Sequence, residues 1–77
     1  MSAPSPSAGD PLYWDASFAV AQRLEGAHPG VDLSTVTLNM VYAWVLALPE
    51  FADDPQLVND DLLEAIFQDW YEAKNPL

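Results

Sequence analysis

The chain has 77 residues, 51% of them hydrophobic, including three Trp, three Tyr and three Phe, enough apolar material for one small core and too much for wholesale disorder. Twelve acidic residues face only Arg23 and Lys74, a net charge of −10, which argues against direct binding to nucleic acid or anionic membrane. Cysteine is absent, which excludes a disulfide framework, thiol catalysis and Cys-based zinc or iron–sulfur ligation; the expected location is the cytoplasm.

Residues 1–11, "MSAPSPSAGDP", are rich in Pro and Ser and read as a disordered N-terminal tail. Asp15 is placed to N-cap a first helix, with Trp14 stapling onto its opening turns. Helix formers run from Ala16, and Val20, Ala21, Leu24 and Ala27 share one face; Gly26, Pro29 and Gly30 then end the helix. The β-branched residues of "VDLSTVTL" predict a turn and a short extended segment. Asn39 is a cap for a second helix, "MVYAWVLAL", in which Val41, Trp44, Val45 and Leu48 fall at helical spacing. That run is too short to span a bilayer. Pro49 closes it.

A loop follows, in which Pro55 forces Asp54 out of helical angles. Asn59 caps the third helix, where Leu62, Leu63, Ile66, Phe67 and Trp70 form the strongest apolar stripe in the chain. The expected architecture is a small all-α, or nearly all-α, three-helix domain over residues 12–73. A short extended segment links helices 1 and 2, and 74–77 form a C-terminal tail.

Glu50, Asp53, Asp54, Asp60, Asp61 and Glu64 place six carboxylates within seventeen residues, with no basic side chain among them. Asp60 and Asp61 suit the positive end of a helix dipole, so part of the cluster is ordinary helix-start chemistry. On a helix, Asp60 and Asp61 share a face with Glu64. Carboxylate oxygens at Asp32, Asp53, Asp54, Asp61 and Glu64 suit hard cations, and weak Fe²⁺ binding is the metal reading. No spacing matches an EF-hand and no His or Cys lies nearby to select a transition metal, so a solvated acidic face is favoured over a tight site. Asp32 has local hydrogen bonding in its turn as an equal explanation. A negative patch that speeds encounter with a basic protein is the stronger use of these acids. No catalytic residues are assigned. The carboxylates sit on turns and helix starts with little shelter, and neither a Ser-His arrangement nor a Gly-rich phosphate loop appears.

The segments "YWD", "VDLSTV", "WVLALPEFADDPQLVNDDLLEAI" and the trailing Trp70 resemble the IscX (YfhJ) family of small acidic accessory proteins in bacterial iron–sulfur cluster assembly. The resemblance runs without a gap from Leu12 to Glu72 and is most specific from Trp44 to Trp70. It implies a compact helical domain related to the winged helix, and a monomer is the expected state. It also implies binding to a cysteine desulfurase, modulation of that enzyme and weak iron binding. The docking residues would be Asp53, Asp54, Asp60, Asp61, Glu64 and Glu50, the last expected to be exposed in its loop. Where the family pattern carries acids, this chain has Ala16, Gln22, Gly30, Met40 and Ala52; its characteristic Arg and His are Thr37 and Tyr42. The alternatives are an iron-binding donor or sensor, and an acidic mimic that blocks a nucleic-acid-binding protein.

Overall fold

The computed structural model describes residues 11–75, which form α1 (Ser17–Ala27), α2 (Leu38–Ala47) and α3 (Asp60–Lys74). Single 3-10 turns, Leu33–Thr35 and Pro55–Leu57, occupy the two connections. The three-helix, all-α reading therefore holds. Nearly all of the expected 1–11 tail lies outside the described residues. At the other end α3 extends through Lys74, with Asn75 as its C-cap.

The cap of α1 is not Asp15. Ala16 occupies that position and offers no side-chain hydrogen bond. Asp15 sits inside a turn closed by the Ala16 N–H donating to the Tyr13 carbonyl at 3.0 Å, one residue too early to reach the helix. Gly26 is helical rather than terminal, and α1 ends when the His28 N–H donates to the Leu24 carbonyl at 2.8 Å. The stretch after it is a turn and a short extended piece, as expected: Asp32 accepts hydrogen bonds from the Ser34 N–H (3.0 Å) and Oγ (2.7 Å), which curl the chain into the first 3-10 turn, and Val36 and Thr37 are extended. Thr37, not Asn39, caps α2, its Oγ1 accepting from the Met40 N–H at 3.2 Å. Asn59 caps α3 as expected, accepting from the Leu62 N–H at 2.9 Å.

Leu24, Val20, Val41, Val45, Ile66 and the two indoles Trp14 and Trp70 are fully buried at the centre. α3 packs most extensively on α1 and next on α2. His28 stacks on Trp44 (ring centroids 4.3 Å), which meets Trp70 edge-on at 5.9 Å, so the single histidine is a packing element. Trp14 has left the helix start to join the core, with Tyr42 stacked against it and Phe51 edge-on at 4.8 Å. Leu12 pairs with Phe51 in an isolated parallel bridge, the one β pairing among the described residues.

Candidate docking surface

The loop that carries Glu50 to Asp54 is held by the segment just before α1. The Leu12 N–H donates to the Glu50 carbonyl and the Ala52 N–H to the Leu12 carbonyl, both at 2.9 Å. Trp14 then uses both of its N–H groups on the same loop. Its backbone N–H donates to Asp53 Oδ2 at 3.0 Å, and its indole Nε1 donates to the Asp54 carbonyl at 2.8 Å. Since Trp14 is 1% exposed, these donors would be costly to leave unpaired, and the loop satisfies them.

Asp53 and Asp54 thus have structural duties. Asp53 Oδ1 also accepts the Asp54 N–H at 2.8 Å, and Asp54 Oδ1 accepts the Gln56 N–H at 2.9 Å, capping the second 3-10 turn that Pro55 opens. Asp60 and Asp61 differ. They lie exposed in the first turn of α3, with Glu64 exposed one turn further on. None of the three has a side-chain hydrogen bond or ion-pair partner among the described residues. Their negative charge at a helix start is favourable to the dipole yet uncompensated by any cation among the described residues.

Both cationic side chains are engaged elsewhere. Arg23 reaches Glu50 at 3.4 Å, and the Glu50 side chain is only 11% exposed. The expectation that Glu50 is a free loop acid is therefore corrected: a cation on α1 draws it inward. Lys74 lies 3.2 Å from Glu25 and also donates to the Pro29 carbonyl at 3.1 Å. Glu25 in turn accepts the Trp70 indole N–H at 2.9 Å. That hydrogen bond, followed by Lys74, holds the Glu25 carboxyl below the usual glutamate range.

Asp32 stands apart from the acidic loop. It lines a separate open groove with Glu25, Lys74 and Tyr71, and the Ser34 hydrogen bonds lower its carboxyl below the usual range. The structure does not bring Asp32 together with Asp53, Asp54, Asp61 and Glu64. Among the described residues, no three His, Cys, Asp or Glu side chains converge as a metal site.

Beside the acids lies an apolar feature that periodicity does not reveal. Tyr13, 44% exposed, and Leu57, 62% exposed, line one open groove with Trp14, Leu62, Asp15 and Asp53. Leu57 sits in a 3-10 turn outside any helical stripe. Tyr13 alternates with the buried Leu12 and Trp14, which is the local signal that it faces outward.

Iron–sulphur cluster assembly is the family whose pattern matches this chain, over residues 12–75, the whole three-helix domain. The chain belongs to that family. An uncharacterised protein of Pseudomonas aeruginosa is 38% identical over 64 residues, spanning 83% of this chain and 97% of that relative. The iron–sulphur cluster assembly family is the one that contains IscX, so the resemblance carried by the Trp44–Trp70 segment holds. In this member of the family, no described helix is long and apolar enough to cross a membrane.

Proposed function

We propose that this chain is a non-enzymatic adaptor of iron–sulfur cluster assembly that docks through its acidic face on a basic surface of a cysteine desulfurase and modulates it. The observation that carries the reading is the exposed, uncompensated trio Asp60, Asp61 and Glu64 in a chain whose Arg23 and Lys74 are both committed to other acids. Like charge held together costs folding stability, and a basic partner recovers that cost while the field steers encounter. Asp53 and Asp54 add to the field, but their carboxylates also hold the loop.

Fe²⁺ binds weakly and secondarily in this reading. The support is chemical: carboxylate oxygens suit a hard cation, but isolated exposed carboxylates provide few simultaneous ligands. Anaerobic calorimetry should find Fe²⁺ no tighter than Mg²⁺ or Ca²⁺.

The decisive experiment measures binding to the desulfurase of the same organism across a NaCl series. Affinity should fall steeply with salt, and Asp61→Lys combined with Glu64→Lys should weaken it at low salt and flatten the slope. Absence of binding at low salt, or binding indifferent to these reversals, overturns the reading.

A further inference from the structure

We infer that the groove between Tyr13, Leu57 and Leu62 is the anchoring part of the docking surface, and that it takes an apolar side chain protruding from a basic segment of a protein partner. Five large hydrophobic side chains are exposed among the described residues: Tyr13, Phe18, Leu46, Leu57 and Tyr71. Of these, Tyr13 and Leu57 line the same open groove, of about 450 Å³, with Leu62 completing its apolar wall. The other three do not contribute to it.

The charge around this groove defines its occupant. Asp15 and Asp53 are part of its lining, and no basic residue is. Asp54 and Asp61 adjoin Asp53 and Leu62 in the chain, and both are exposed. A peptide that seats an apolar side chain here therefore places its flanking residues among carboxylates, and lysine or arginine flanks match them. A second copy of this chain would bring a further −10 of like charge to the same place, which disfavours self-association.

The groove is also built in advance. Trp14 forms part of it, is 1% exposed, and is fixed by both of its hydrogen bonds to the acidic loop. A ligand does not need to order these parts, so more of the apolar contact is realised as affinity. Apolar anchors surrounded by a charged rim are where protein interfaces concentrate their binding energy.

This inference rests on the acidic docking reading for the charge of the partner, but not for its identity. Its test uses short synthetic Lys/Arg-rich peptides that differ only in one central residue, leucine or serine, titrated into the isotope-labelled full chain and followed by NMR. The leucine peptide should bind about tenfold more tightly, as expected for partial burial of one leucine. The amides of Tyr13, Leu57 and Leu62 should shift. Raising NaCl should weaken both peptides while preserving their ratio, because the apolar contribution is not screened.

Leu57→Ser should abolish the leucine preference; Leu57 is 62% exposed, so the remaining spectrum should be unchanged. Equal binding of the two peptides, or a preference that survives Leu57→Ser, overturns the inference. A concentration-dependent dimer that disappears in Leu57→Ser assigns the groove to a second copy and also overturns it. The peptides contain no desulfurase sequence, so equal peptide binding leaves the adaptor reading standing. Failure of the desulfurase to bind likewise leaves a leucine preference intact.

Discussion

Trp14 and Asp53, 39 residues apart in the chain, are joined by a hydrogen bond of 3.0 Å from the tryptophan backbone N–H to the carboxylate. Asp53→Ala removes the acceptor for this donor and for the Asp54 N–H. Loss of stability should be about 1–3 kcal/mol, the usual cost of orphaning a largely buried donor. Asp61→Ala, at an exposed position, should stay within about 0.5 kcal/mol of the parent. Urea unfolding of both variants checks the contrast. It also decides which acids can be mutated in binding experiments without disturbing the loop.

Gly26 is helical, and a Cβ added there meets nothing within 4 Å. Gly26→Ala should stabilise the domain by about 0.5–1 kcal/mol, through helix propensity and lower freedom of the unfolded chain. Thermal unfolding should show a rise of several degrees, since about 1 kcal/mol moves a domain of this size by about 4–8 °C.

The Glu25 carboxyl is held low by the Trp70 indole and then by Lys74. A group whose native pKa is depressed binds fewer protons folded than unfolded between the two values. Its contribution is therefore complete above the ordinary glutamate value of about 4.3 and disappears as pH falls through the lower native value. Glu25→Gln should be less stable than the parent near neutrality. The gap should close on acidification below about pH 4.3. Denaturation at a series of pH values tests this, and a gap that widens in acid would contradict the assignment.

Self-repulsion at −10 should be visible without mutation. Added NaCl should raise the melting temperature, because the repulsion among exposed carboxylates is screened while the apolar core is not. Asp60→Asn/Asp61→Asn/Glu64→Gln should show a smaller rise than the parent. Calorimetry in low and moderate salt provides the comparison.

Much of the scaffold could be read locally. The α3 stripe and the Asn59 cap are short-range features, and Leu63, Ile66 and Trp70 are buried as their spacing requires. The errors arise where two residues compete for one local role or where a distant group decides. Thr37 and Asn39 can both cap, and the chain uses the earlier one. Asp15 loses its cap because a backbone turn forms first. Glu50 is drawn inward by Arg23, 27 residues away, a pairing that no local pattern contains. The acids between Glu50 and Glu64 were legible as a charge run. The neighbouring groove was not, because Tyr13 and Leu57 meet only after the chain has folded.

Three of the four hydrogen bonds that tie the acidic loop to Leu12 and Trp14 engage loop main-chain atoms, those of Glu50, Ala52 and Asp54. Among the loop side chains, the Asp53 and Asp54 carboxylates share in fixing the path, whereas the pairing at residue 52 is main-chain alone. Residue 52 is an exposed alanine, and an acid placed there leaves the main-chain pairing with Leu12 intact. The charge carried at this one position can therefore be altered while the loop keeps its shape.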